Sequence, residues 1–185
     1  MAKTYNTIST FTAGQVLTAA QMNDLGENSN NYRVPPICRV RRASAQSIAN
    51  NTQRLMNWDT QDIDTDEMFA ASDTVITIKT AGVYLVTACV GFALNTTSTR
   101  GVAIVHNPVL SGSGDSTNVT SGTRIALNFL DRSPDTATHV VATTALEFAV
   151  NDTIGIVAYQ NSGGSLNTTT AEQTTCSVMW LGQAS

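Results

Sequence analysis

The sequence predicts an all-β sandwich or barrel, and three observations carry that expectation. From Ile37 onward, apolar residues recur with period 2 in short runs bounded by Gly, Asn, Ser and Pro. Charged residues make up only 13% of the chain, against about a quarter in ordinary globular domains. Thr, Ser, Asn and Ala abound instead, a mixture that suits strands and hydroxyl-rich turns rather than long helices with Lys/Glu faces. The turn signals divide the region into eight to ten short strands, and the lack of an internal repeat argues against a solenoid or propeller.

The 185 residues fit one domain with a short appendage, divided as residues 1–36 and 37–185. In the first part, "TAGQVLTAAQMNDLGEN" contains a helix with readable ends. Thr18 is the N-cap and Gln21 the third helical residue, which makes a capping box. Leu17 and Met22 take the hydrophobic-staple positions, and Gly26 is placed to end the helix after about two turns. A helix that short is unstable alone, so it must dock on its own domain, a sister subunit or another protein. "ENSNNYRVPP" then reads as a polar linker closed by Pro35 and Pro36.

The strands follow in order: "CRVRRASAQS", "RLMNWD", "DTVITIK", "KTAGVYLVTACVGFAL", "RGVAIVHN", "TRIALNFL", "HVVATTALEF", "DTIGIVAYQ" and "TCSVMWLG". "SGSGDSTN", "DRSPDTAT" and "NSGGSLNTTT" connect them as turns or loops. In "HVVATTALEF", Val140, Ala142, Thr144, Leu146 and Phe148 share one face.

The strand at residues 79–94 is unusual. Tyr84, Val86, Ala88, Val90, Phe92 and Leu94 form one face; Leu85, Thr87, Cys89, Gly91 and Ala93 form the other. Neither carries a charge. A strand apolar on both sides needs two cores, and the sequence has no long helix to supply the second. A neighbouring subunit is the remaining cover. "DTIGIVAYQ" has the same two-faced character, with Ile154, Ile156 and Ala158 opposite Gly155, Val157 and Tyr159. The two strands are therefore expected to share a subunit-facing surface of Leu85, Thr87, Cys89, Gly91, Gly155, Val157 and Tyr159 in a cyclic homo-oligomer.

The ordered set of motifs resembles the complement globular-head and tumour-necrosis-factor superfamily over roughly residues 37–182. "TAGVYLVTACVGFA" is similar to its Gly-x-Tyr strand, "LEFAVNDTIGIVAYQ" to its later pair of strands, and "CSVMWLG" to its closing strand. "MNWDTQDIDTDEMF" lies where the family has a loop before the Gly-Tyr strand. The resemblance implies a ten-stranded jelly-roll sandwich that forms trimers around a three-fold axis. Separately, "TFTAGQVLTAAQMNDLGENSNN" resembles the N-terminal segment of small tail and fibre proteins of bacteriophages. That resemblance implies a virion structural protein, assembled in the host cytoplasm. The segment would attach through Val16, Leu17, Met22 and Leu25, and the trimeric knob would be displayed outward. A minor tail protein or tail-fibre tip that binds a host-surface glycan or protein fits this reading; so does a capsid decoration or head fibre.

Candidate chemistry is sparse. Asp59, Asp62, Asp64, Asp66 and Glu67 form the densest acidic stretch. On a strand, Asp62, Asp64 and Asp66 would share a face and could supply oxygen ligands to Ca²⁺; EF-hand spacing fails, and solvated loop acids are the simpler expectation. No other cofactor is expected. Arg33, Arg39, Arg41, Arg42 and Arg54 hold half of the ten basic residues. They are expected to pair with the acidic stretch or a neighbouring protein, since a net charge of −4 and the lack of interleaved aromatics argue against nucleic acid. His106 and His139 have no nucleophile or metal motif beside them. Cys38, Cys89 and Cys176 sit in strand-like runs and read as free buried thiols. Trp58 and Trp180 read as core or interface residues.

Five N-x-S/T sequons, at Asn50, Asn95, Asn118, Asn151 and Asn167, are expected by chance in a Thr-rich chain. "MAKTYNTISTF" lacks a signal peptide's apolar core, and no apolar run is long enough to span a membrane. The expectation is a non-enzymatic structural protein with no membrane partner. The rivals are a soluble globular-head-type binding module and a polysaccharide-degrading virion enzyme using Asp64 and Glu67. The loops at 95–100, 111–121 and 161–172 are expected to form the recognition surface.

Overall fold

The computed structural model describes residues 2–6, 10–70 and 73–184. One helix, α1 (Ala19–Arg33), precedes twelve strands: β1 (Ile37–Arg42), β2 (Ser47–Ile48), β3 (Thr52–Leu55), β4 (Thr60–Asp64), β5 (Ile76–Thr77), β6 (Gly82–Phe92), β7 (Thr99–Ser111), β8 (Asn118–Asp131), β9 (Thr138–Phe148), β10 (Thr153–Gln160), β11 (Leu166–Asn167) and β12 (Ala171–Gly182). They form a five-stranded sheet ordered β4-β1-β12-β6-β9, a second ordered β3-β8-β7-β10-β5, and the short pair β11-β2. All the pairings are antiparallel.

The inner faces of the two large sheets meet in one core. The first sheet contributes Cys38, Val40, Tyr84, Val86, Ala88, Val90, Val140, Cys176 and Val178. The second contributes Ile76, Val102, Ile104, Ile154, Ile156 and Ala158. Trp58, Met56 and Met68 fill the space between from connecting segments. Burying a Val, Leu, Ile or Phe side chain stabilises by roughly 1.5–3 kcal/mol, so the alternation of buried and open positions along β1, β6, β9 and β12 fixes their register.

The second sheet also curls. β7 bends at Asn107, whose φ is +48°, so the far end of the β7–β8 hairpin swings back over β10. There β3 pairs with β10 along its length and with β8 through Arg54 opposite Asn118. The Leu55 amide donates to the Thr117 carbonyl at 3.0 Å, and the Arg54 guanidinium donates to the Ser116 carbonyl at 2.6 Å. The curl encloses a second small core of Leu55, Ala103, Val105 and Val157, with Val75 and Val119 against it.

Two expectations at the N-terminus are corrected. The capping box is present, with Gln21 N donating to the Thr18 hydroxyl at 3.3 Å and Thr18 N donating to Gln21 Oε1 at 3.0 Å. Gly26 does not end the helix, however, and "ENSNNYR" is its second half rather than a linker. Side chains from that half hold residues 2–6 in place. Asn28 donates to the Asn6 carbonyl and accepts from its amide, both at 2.8 Å, and Asn31 donates to the Thr4 carbonyl. Tyr5 stacks on Trp180 with ring centroids 4.5 Å apart, and Tyr32 lies edge-on to Tyr5. The helix is thus tied to the sandwich through the extended segment between them.

Candidate functional site

The outward face of the first sheet is built from four strands in register. Successive rows across it read Ile37–Met179–Leu85–Ala145, Arg39–Ser177–Thr87–Thr143 and Arg41–Thr175–Cys89–Val141. Over β12, β6 and β9 these rows carry no charged side chain. The Thr143 hydroxyl donates to that of Thr87 at 3.3 Å. Leu85, Thr87 and Cys89 are half-buried, whereas Met179 is 43% and Val141 45% exposed. Ile63, opposite Arg39 on β4, and Leu181, at the bulge in β12, add to the exposed apolar surface. Among the described residues charge lies at the sides, with Arg39, Arg41 and Asp62 at one and Glu147 at the other. An apolar, hydroxyl-dotted centre with charges at its rim is the anatomy of a protein interface.

Of the other residues expected on that surface, Gly155, Val157 and Tyr159 lie on the second sheet, and Gly91 is covered from within the chain. β6 and β10 belong to different sheets, so their second faces point away from each other. Val157 is buried in the small core under the curl. A Cβ on Gly155 would lie 2.8 Å from Leu55 Cδ1 and 2.9 Å from Pro108 Cγ. The close approach that Gly155 permits is thus made by the chain's own hairpin, not by a sister subunit. Gly91 is buried beneath Thr169 and His139. Tyr159 is half-buried on the second sheet, its hydroxyl donating to Asn51 Oδ1 at 2.7 Å. Only Leu85, Thr87 and Cys89 remain of the expected set. Sequence reasoning missed Ile63, Val83, Val141, Met179 and Leu181 beside them. The alternation on β9 and β12 was the signal that could have found them.

The attachment residues are largely uncovered. Val16 is 85%, Met22 52% and Leu17 41% exposed, and Leu25 is half-buried.

The acidic stretch is partly strand, and its carboxylates have separate tasks. Asp62 sits 2.8 Å from Arg41 Nε and 3.5 Å from Arg39 Nε. Asp64 accepts from the backbone amides of Asp66, Met68 and Phe69 at 2.9–3.1 Å. Asp66 is buried, and its Oδ2 accepts from the Thr80 hydroxyl at 2.7 Å. Burial raises its pKa above the ordinary carboxylate value. Asp59 accepts from Ala43 and Ser44 amides, with Arg42 at 3.7 Å. Burial alone would raise its pKa, but those amides and the guanidinium bring it below the ordinary value. The expected face of Asp62, Asp64 and Asp66 is therefore dispersed over guanidinium, amide and hydroxyl partners. Among the described residues no group of three or more His, Cys, Asp and Glu is placed to hold a metal ion.

His106 Nε2 lies 3.0 Å from Asp152 Oδ2, and its ring meets Phe148 edge-on. His139 stands exposed over Gly91. The three cysteines are free. Burial raises all three thiol pKa values, Cys176 to about 12, which leaves them poor nucleophiles at neutral pH.

No protein-family model matches the sequence, and no curated protein matches it. Solved structures do match in shape. The crystal structure of murine APRIL at pH 5.0 superposes with a TM-score of 0.58 at 12% identity, covering 79% of this chain and 98% of that one. Eiger TNF from S. frugiperda gives 0.59 at 11% identity, covering 81% and 96%. The globular domain of zebrafish complement 1qA protein gives 0.52 at 11% identity, covering 80% and 99%. The sandwich built by residues 37–182 is thus a jelly roll of the tumour-necrosis-factor and complement globular-head fold.

Proposed function

We propose that the protein is a non-enzymatic, homotrimeric binding module. The observation that carries this reading is the contrast between its two outer faces. The small core under the curl covers part of the second sheet's outer face from within the chain. The first sheet's outer face keeps Leu85, Val141, Met179, Leu181 and Ile63 at least partly open to water. A contiguous apolar field of that kind is characteristic of an interaction surface, and subunits related by a closed rotation would cover it. The superfamily resemblance supports a three-fold axis.

The finer reading is a phage virion knob, and it rests on the N-terminal phrase. The exposed Val16, Leu17 and Met22 would be buried on the attachment site, and the jelly roll would face outward, multiplying weak contacts threefold. Two experiments test the coarse and fine readings separately. Thr87→Arg places a charge at the centre of the apolar rows, and we expect it to yield a folded monomer by light scattering; an unchanged mass would contradict this interface. Co-sedimentation of the full chain with purified tails and capsids tests the virion role. We expect retention that is lost in Val16→Asp/Met22→Asp, whereas no retention by either particle would overturn it.

A further inference from the structure

We infer that the curled second sheet carries a binding site for an acidic saccharide, a cleft of about 390 Å³ that opens on the side of the sandwich opposite the proposed subunit interface. The inference rests on the reading of the protein as an outward-facing binding module, and it gives that module a ligand class and a location.

The cleft arises where the curl is incomplete. At one end β3, β10, β7 and β8 close around Leu55, Val105 and Val157. At the other, β8 diverges from β3 and leaves a trough between them. Its floor is low because Gly101 and Ala103 of β7 contribute almost no side chain. Phe129, opposite Gly101 in the ladder, lays its ring over that glycine. Any Cβ at Gly101 would collide with the ring. Phe129 and Tyr159 meet edge-to-face at 5.9 Å, yet Phe129 remains 49% and Leu127 50% exposed. The walls thus present an aromatic ring and an aliphatic side chain to water, where the C–H face of a sugar ring could pack.

The polar groups are of the kind that bind hydroxyls. Asn51 accepts from the Tyr159 hydroxyl at 2.7 Å, and Gln53 Oε1 accepts from Arg124 Nη2 at 2.6 Å. These pairs hold amides and guanidinium in place while leaving further donors and acceptors for a ligand. Among the described residues, Arg124 is the one charged residue in the lining and no carboxylate lines the cleft beside it. Its hydrogen-bond partner is a neutral amide, and among the described residues no carboxylate pairs with its guanidinium. A carboxylate would complement it with two parallel hydrogen bonds. A second cleft of about 330 Å³ shares Gln53 and Arg124 and is lined by Thr120, Ser121 and Gly122. Two adjoining troughs with the guanidinium between them suit a chain of sugar units rather than a single one. A cleft of this size, apolar at its base with a few convergent polar groups, is a typical small-ligand site.

The test is an NMR titration of the full chain, following the methyl groups of Ala103, Leu127 and Val157. The probes are a tetrasaccharide of alternating glucuronate and N-acetylglucosamine and the uncharged tetramer of N-acetylglucosamine. We expect saturable shifts at those methyls with the acidic probe, at least about tenfold tighter than with the neutral one. Raised ionic strength should weaken that preference. Arg124→Gln should remove the preference, and Phe129→Ala should weaken both probes about tenfold; melting curves check that each variant is folded. No saturable shift with either probe at millimolar concentration would overturn the proposal. So would equal affinity for the two probes, or binding by a folded Phe129→Ala variant as tight as by the parent. The titration reads the cleft alone, so a negative result here with an intact trimer leaves the binding-module reading standing, and the reverse outcome is equally separable.

Discussion

At Gly82 a side chain is excluded twice. Its φ is +150°, and a Cβ there would collide with the indole of Trp180 and the Gly182 carbonyl. Trp180 in turn carries Tyr5, so a shift of the indole reaches the N-terminal segment. Gly82→Ala should cost about 2–3 kcal/mol in urea unfolding. Asp66 and Asp59 oppose each other in pH dependence. Asp66 has a raised pKa in the folded chain. As pH climbs from the ordinary carboxylate value through the raised one, the unfolded chain ionises first and stability from this group is lost. Asp59 is lowered, so its contribution is present above the ordinary value and lost as pH falls through the lowered one. Asp66→Asn should therefore melt higher than the parent at neutral pH, with the difference shrinking below about pH 4; an unchanged difference across that range would contradict the desolvation argument. At this scale the sequence revealed Gly82-x-Tyr84 and the pairing of Arg39, Arg41 and Arg42 with carboxylates, because each is announced by residue type; Arg54 instead donates to the Ser116 carbonyl and Asn118 Oδ1. It did not reveal Asp64 as an acceptor of three amides or Asp66 as a buried acid, because their partners are set by a turn and by Thr80.

Among the elements, α1 separates local from tertiary causes. Its start was legible because Thr18 and Gln21 satisfy each other within one turn. Its end was not, because the second half is held by Asn6, Thr4 and, through Tyr5 and Tyr32, Trp180, all distant in sequence. Thr18→Ala should loosen the first turn by about 1 kcal/mol, seen as faster exchange of the Gln21 amide while the β-sheet amides are unaffected. Asn28→Ala should instead free residues 2–6, raising exchange at the Asn6 amide and exposing Trp180 to a fluorescence quencher. If both variants behave alike, the extended segment is not what ties the helix down. The same division explains the strands. β6, β9, β10 and β12 were readable from apolar alternation. β4, with the sequence TQDID, was hidden by its polarity, as an edge strand with charged side chains can be. The closure of β3 on both β10 and β8 depends on the bend at Asn107, which period-2 patterning cannot register.

For the whole molecule, the expectation that β6 and β10 share one subunit-facing surface fails at β10, and the reason is geometric. Both β6 and β10 need cover on two sides, but a hairpin long enough to fold back covers much of β10 from within. No segment of the described chain does this over Leu85, Thr87 and Cys89. Sequence alone could identify both strands as two-faced. It could not tell which cover was internal, because that depends on hairpin curvature rather than composition. On the proposed reading, two further copies of the chain close the first sheet's outer face. Light scattering of the full-length protein, diluted to sub-micromolar concentration, tests this most directly. The expected mass is three times the 19.6 kDa of one chain, persisting on dilution. A well-folded species with the mass of a single chain would contradict it.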